Sequence, residues 1–283
     1  MSKNVLVTGA STGIGKACAI ALDRRGFHVF AGVRKDEDGE ALKKESERIE
    51  PIIVDVTDQA TIDAAAKQID ELFGLVNNAG ITVAGPVEFL PVDSVRHQFE
   101  VNLFGQLAVT QAFLPKIRKS RGRIVFMSSV GGRTPSSPFL APYNASKHAL
   151  ESFGDALRVE LQPWGIPVVL VEPGAIDTPI WDKSVASATE MRRSLAPQFP
   201  EFEERYGEAA DKTQKFAEGR GRSGIPASRV ADAVVHALTA DRPKSRYLVG
   251  NAEAKVQAYL FPVLPDRARD SLFGRLTGLR KQK

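Results

Sequence analysis

Residues 4–15 read Asn4-Val-Leu-Val-Thr-Gly-Ala-Ser-Thr-Gly-Ile-Gly15, a β-branched run that passes without a break into glycines at 9, 13 and 15. Helical periodicity begins at once behind them, over 14–25. A strand, a glycine turn and a helix in that order open an α/β unit. Glycines at such a turn remove the Cβ atoms that would hold the backbone away from a pyrophosphate. The helix behind it presents unpaired N–H groups and a positive dipole end to the same place. The spacing is G-x-x-x-G-x-G, where the commoner dinucleotide fingerprint is G-x-G-x-x-G. A structural turn could use the same three residues, so position gives the motif its weight: between first strand and first helix it reads as a nucleotide site.

Outward from this unit the rhythm repeats. Strands are expected at Asn4–Thr8, His28–Val33, Pro51–Asp55, Gly74–Asn77, Arg123–Ser128, Ile166–Glu172 and Ser245–Val249. Most are apolar without strict alternation, as in strands buried on both faces of a parallel sheet. Helices are expected over 14–25, 58–72, 94–119, 144–162 and 228–240, with Leu150, Phe153, Leu157 and Leu161 forming a stripe on one face. The pattern implies an α/β fold, a single doubly wound Rossmann domain with a mostly parallel seven-stranded sheet and right-handed crossovers. The domain is expected over 1–265. Within it, residues 179–226 carry no strand signal but hold Trp181, Met191, Phe199, Phe202, Tyr206 and Phe216 among many charges.

Composition closes off several function classes. The 283 residues are 43% hydrophobic and 25% charged, which excludes global disorder. Lys and Arg number 38 against 34 Asp and Glu, a formal charge of +4. Residues 266–283 hold six basic and two acidic side chains, so their removal leaves 32 of each sign. The body is neutral, the excess sits in a basic C-terminal tail, and nucleic acid is not an expected partner. One cysteine, Cys18, forms no intramolecular disulfide, and with four histidines a metal centre is not expected. Cys18 itself reads as ordinary packing in the first helix. No apolar run is long enough to span a bilayer or to serve as a signal-peptide core, so a cytoplasmic location is expected.

The end of the second strand selects between the nicotinamide dinucleotides. An acid there would bind the ribose 2′-hydroxyl and repel a 2′-phosphate. The chain has Gly32-Val33-Arg34-Lys35 and no acid before Asp36. Arg34 can grip a phosphate bidentately, so NADP(H) is favoured and NAD(H) is the alternative. Asp55 could accept a hydrogen bond from an adenine amino group, or could cap the helix beginning near Asp58.

At Tyr143-Asn-Ala-Ser-Lys147 a phenol and an ammonium stand four residues apart at the start of a helix, on one face. A free tyrosine is a poor acid–base catalyst near neutrality. An ammonium about 4 Å from its oxygen, at an effective dielectric of about 20, favours the phenolate by roughly 4 kcal/mol before desolvation opposes it. Ser129 lies just past the carboxyl end of the fifth strand, where open α/β sheets present ligands. Asn102 is a polar amide on a helix beside Phe99 and Leu103, where an apolar residue is expected. His148 reads as a surface or packing residue. Glu172 and Asp177 flank a Pro-Gly turn, where turn chemistry explains Asp177 and a site role is open.

These residues together resemble the short-chain dehydrogenase/reductase family over roughly residues 4–250. The carriers are TGASTGIG at 8–15, DVT at 55–57, NNAG at 77–80, Asn102, Ser129, YNASK at 143–147 and PGAIDT at 173–178. The resemblance implies that Tyr143 is the general acid/base, that Ser129 holds the substrate oxygen, that Lys147 lowers the Tyr143 pKa and binds the nicotinamide ribose, and that Asn102 orders a proton-relay water. It implies a dinucleotide bound by Gly9, Ser11, Thr12, Gly13, Ile14 and Gly15, by Arg34, Asp55 and Val56, and by Asn78, Ala79 and Gly80. Tyr143, Lys147, Pro173, Gly174, Ile176 and Thr178 would complete that site at its nicotinamide end. Ser129 and Tyr143 are 14 residues apart where many members have 13. The serine could therefore be the adjacent Ser128, although the strand-end position favours Ser129.

The stretches GLVNNAGI, VNLFGQ and EFLP are similar to the branch acting on retinoids, hydroxysteroids and other apolar alcohols. Residues 179–226 would then be a lid over an apolar pocket, or aromatics packed only among themselves. A catalytically silent dinucleotide sensor is the alternative function. The family further implies a homodimer or homotetramer, with helices 94–119 and 144–162 paired across an axis. In the tail, Leu272, Phe273, Leu276 and Leu279 form a stripe beside Arg269 and Arg275, which could lie weakly on an anionic membrane. Gly274 and Gly278 weaken such a helix, and a subunit contact or a frayed end would use the same residues.

Overall fold

The computed structural model describes residues 3–279. The strands are β1 (Asn4–Thr8), β2 (His28–Val33), β3 (Ile49–Ile53), β4 (Gly74–Asn77), β5 (Arg123–Met127), β6 (Val168–Pro173), the two-residue pair β7 (Ile176–Asp177) and β8 (Ile225–Pro226), and β9 (Arg246–Val249). Seven of them form a sheet in the order β3-β2-β1-β4-β5-β6-β9, and every neighbouring pair is parallel. Alternation within single strands explains why both faces are covered. Val5 and Val7 enter one apolar core while Leu6 enters the other, and Ile124 and Phe126 separate from Val125 and Met127 in the same way.

The helices are α1 (Gly13–Arg24), α2 (Asp36–Lys43), α3 (Gln59–Gln68), α4 (Val92–Phe99), α5 (Gly105–Ser120), α6 (Ala141–Glu160), α7 (Ile180–Leu195), α8 (Glu201–Ser223), α9 (Ala227–Thr239), α10 (Ala252–Leu260) and α11 (Asp266–Thr277). Residues of α1 and α9 fill one core, and those of α3, α5 and α6 fill the other. Chain order reverses between β1 and β4, and the carboxyl ends of those strands open the crevice in which such sheets bind ligands.

Several boundaries differ from expectation for identifiable reasons. The third strand runs over 49–53, two residues earlier than expected, because Val29 pairs with Ile49 and Val33 with Ile53. Asp55 therefore lies beyond the strand. The helix expected over 94–119 is interrupted by a π turn, Glu100–Phe104, in which the Gly105 N–H bonds to the Glu100 carbonyl. The stripe on α6 is not wholly internal: Leu150 and Leu161 are buried, while Phe153 is 45% exposed. Residues 179–226 do contain strand at their end: β8 pairs with β7, which lies just before the segment, so the pair closes the base of helices α7 and α8.

Beyond residue 265 the chain is helical to Thr277. Gly278 (φ +82°) terminates α11 in the left-handed region rather than weakening its interior. Phe273 meets Phe261 edge to face with ring centres 5.8 Å apart, whereas Leu276 is exposed. Arg280, Lys281 and Lys283, half of the tail's cations, lie outside the described residues. No helix among the described residues is long and apolar enough to cross a membrane.

Candidate active site

The glycine turn works as its composition implies. Gly9 and Gly13 have φ of +63° and +58°, and a Cβ on Gly15 would stand 2.2 Å from the Gly9 carbonyl oxygen. The turn is fixed from β4: Asn78 Nδ2 donates to the Thr8 and Gly9 carbonyls at 2.9 and 3.1 Å, and Thr8 Oγ1 accepts from the N–H groups of Asn78 and Ala79. Helix α1 then starts without a side-chain cap and with no acid in its first turn. Its leading N–H groups and positive dipole end face the cavity free to meet an anion, which is the arrangement a pyrophosphate requires.

Arg34, at the carboxyl end of β2, is exposed and lines the same cavity. Asp58 accepts from the Ala60 N–H at 2.9 Å and caps α3, which leaves Asp55 out of that role. Asp55 instead accepts from the Thr57 N–H and hydroxyl at 2.9 and 2.7 Å. Burial pushes its carboxyl up, but the Thr57 hydrogen bonds and the charges of Arg34 and His97 outweigh this and hold it below the usual aspartate range. His97, on α4, was not a sequence candidate, since nothing in its local pattern sets it apart.

At the other end of the cavity, Tyr143 and Lys147 lie one turn apart on α6 and Ser129 follows β5. Lys147 is buried, its Nζ donates to the Met127 carbonyl at 2.7 Å, and it lies 5.9 Å from the centre of the Tyr143 ring. Burial pushes the Tyr143 phenol up, and hydrogen bonding with Ser129 pulls it part of the way back. The expected lowering by the ammonium is not dominant here. Desolvation prevails for both groups, and it brings the Lys147 ammonium down to about 8. Of the two adjacent serines it is Ser129 that the structure brings to Tyr143. Ser129 Oγ also lies 3.4 Å from the Pro173 carbonyl and accepts from the Gly131 N–H, whereas the Ser128 hydroxyl is buried against Gly132.

Asn102 sits in the π turn, fully buried. Its Oδ1 accepts from the Ile81 N–H at 2.9 Å, and its Nδ2 donates to the Ile81 carbonyl at 3.1 Å and to Ser146 Oγ at 3.2 Å. The amide thus ties the loop after β4 to the helix bearing Tyr143, and π turns are frequent at such places. Pro173, Gly174, Ile176 and Thr178 line the cavity from the β6 side, with the Thr178 side chain against Gly13. His148 is exposed, with Nδ1 2.9 Å from the Asn144 carbonyl, and Cys18 is buried with its thiol pushed up to about 12. Neither takes part in the site. No group of side chains suited to a metal ion occurs among the described residues.

The cavity, about 560 Å3, runs from the glycine turn past Tyr143 to α7 and α8. Trp181, Met191, Leu195 and Phe202 line its far end. Leu195 and Phe202 also pack with Phe89, so Phe202 both lines the cavity and joins an aromatic cluster. The hairpin is latched: Glu88 bonds to Arg205 and to Tyr206 Oη, and Arg192 joins Glu203 and Asp211 across the two helices. Phe139, also lining, holds φ at +67° with its carbonyl bonded to the Gly85 N–H. That backbone is strained for a non-glycine residue, and strain of this kind gathers at functional sites.

The family model described as short chain dehydrogenase matches residues 3–189. An NADPH-dependent 3-dehydrocapnine reductase of Ornithobacterium rhinotracheale is 35% identical over 280 residues, covering 95% of each chain. Retinol dehydrogenase 16 of Mus musculus is 37% identical over 292 residues, covering 99% of this chain and 90% of the mouse protein. Among solved structures, a short chain dehydrogenase of Burkholderia cenocepacia in complex with NADP is 29% identical, covers 97% of both chains and superposes with a TM-score of 0.71.

Proposed function

This chain belongs to the short-chain dehydrogenase family, and on that premise we propose that it interconverts an apolar alcohol and its carbonyl using NADP(H) in preference to NAD(H). One observation carries the reading. The uncapped start of α1 and the Ser129–Tyr143–Lys147 group open into one cavity, whose far end is lined by Trp181, Met191, Leu195 and Phe202. A bound nicotinamide dinucleotide would supply or accept the hydride. Gly9, Ser11 to Gly15, Asp55, Val56 and Asn78 to Gly80 fit its phosphates and adenosine, and Pro173 to Thr178 fit its nicotinamide end.

The chain's own work in this scheme is proton handling and orientation. Ser129 donates a hydrogen bond to the substrate oxygen and stabilises the charge that develops there. Tyr143 gives the proton in reduction and takes it in oxidation. A positioned acid–base group of this kind contributes about a hundred- to ten-thousandfold in rate. Burial keeps the Tyr143 phenol protonated, the form that reduction needs. Lys147 brings a positive charge to the same pocket, and Asn102 fixes α6 against the loop after β4. With Asn102, Ser129, Tyr143 and Lys147 all present, nothing favours a silent sensor over an enzyme. The exposed Phe104 and Phe153, on the π turn and on α6, support a homodimer through those helices.

The reading is tested by offering retinoids, steroids and long-chain alcohols, and their carbonyls, with each cofactor in turn. NADPH-linked turnover of at least one apolar pair is expected. Turnover confined to small polar substrates would overturn the substrate class, and tighter binding of NADH than of NADPH would overturn the cofactor preference.

A further inference from the structure

Beyond Lys147 on α6 lies a chain of buried and half-buried charges that the proposed mechanism does not use. Glu151 follows Lys147 by one helical turn on the same face, and both side chains are buried, at 6% and 4% exposure. Glu151 Oε2 accepts from Arg246 Nε at 3.1 Å, while Oε1 is buried without a hydrogen-bond donor. Arg246, at the start of β9, also grips both oxygens of Asp155 at 2.7 Å and lies 3.1 Å from Glu172 Oε1. Glu172, in β6, meets Arg133 at 3.2 Å, and that guanidinium lies over the Tyr259 ring of α10. Arg158 completes the group on Asp155. From α4 and the π turn, which also pack on α6, the titratable groups are Asp93, Arg96, His97 and Glu100, all exposed.

A buried carboxylate is costly, and one with an unpartnered oxygen more so. Arg246 compensates Glu151 only in part, because the same Nε is shared with Glu172. Lys147, one turn away on the same face, is the one buried cation among the described residues on which the remaining field of Glu151 can act. We propose that Glu151 is a positioning residue of this site: anchored by Arg246, its carboxylate keeps the positive charge on Lys147. Burial alone drives the ammonium toward its neutral form, and Glu151 opposes that loss. The lysine then stays charged through neutral pH, where the Tyr143 proton is exchanged. Arg246 and Glu172 extend the anchor from α6 to the two strands at the sheet edge. The inference rests on the reading of Tyr143 and Lys147 as the acid–base pair, but it is tested without turnover.

The full chain, labelled with carbon-13 lysine and free of ligand, is titrated by NMR, with the Lys147 signal assigned from its loss in Lys147→Met. The midpoint is expected at about 8 in the parent protein. Glu151→Gln, which removes a negative charge without changing shape, is expected to lower it by about one pH unit. An unmoved or raised midpoint overturns the proposal. Should that variant not fold, Glu151→Gln with Arg246→Met removes the pair together and leaves Asp155 to Arg158 and Glu172 to Arg133. A smaller fall, about half a unit, is then expected, and no fall is the contrary result. Failure here would leave hydride transfer intact, since that stands or falls with Tyr143.

Discussion

Arg34 occupies the position at which an acid would exclude a 2′-phosphate, and it reaches the cavity from the end of β2 while Lys35 does not. Arg34→Asp is expected to weaken NADPH binding tenfold or more, a loss of about 1.4 kcal/mol, and to raise the relative affinity for NADH. Fluorescence titration with both cofactors reads the change, and an unaltered ratio would return Arg34 to the status of a solvated charge. At this scale the sequence was most informative where a residue's chemistry is unusual for its place. Glycines at a strand end, a Tyr four before a Lys and a lone amide among apolar neighbours all stood out. Phe139 did not, because its positive φ accompanies a contact with Gly85, 54 residues earlier, which no local pattern encodes. Nor does the local pattern set Glu151 apart, because its partner Arg246 is 95 residues away.

Among the elements, the loop after β3 and the start of α3 divide two aspartates between two tasks. Asp58 caps the helix; Asp55 faces the cavity with Arg34 and His97. Asp58→Ala is expected to cost about 1 kcal/mol of stability with cofactor affinity unchanged. Asp55→Ala is expected to weaken cofactor binding severalfold. Denaturant melts and fluorescence titrations on the two variants separate these effects, and an exchange of the two phenotypes would reverse the assignment. The strands and most helices of the two cores were legible because their apolar periodicity is set by the sheet; α2, which adds only Leu42 to a core, was not expected. Helices α7 and α8 were not, since their charges face solvent and their apolar residues are split between the cavity and the Phe89 cluster. The π turn was hidden for a related reason: Asn102 is held by the Ile81 backbone, a partner that periodicity cannot show.

For the whole molecule, the charge excess falls in residues 266–283 of the sequence, and the largest exposed rings outside the C-terminal segment and the α7–α8 hairpin include Phe104 and Phe153. If those two faces pair a second copy, Phe104→Glu with Phe153→Glu should yield a monomer by light scattering, against a dimer or larger species for the parent chain. A parent chain that is itself monomeric would refute the pairing. The proposed proton transfer depends on one phenol. The direct test follows NADPH consumption with an apolar carbonyl accepted by the parent enzyme, alongside NADPH binding by fluorescence, in Tyr143→Phe. Turnover is expected to fall at least a hundredfold while the dissociation constant for NADPH changes less than about threefold. Undiminished turnover in a folded Tyr143→Phe protein would contradict the assignment of Tyr143 as the group that moves the proton.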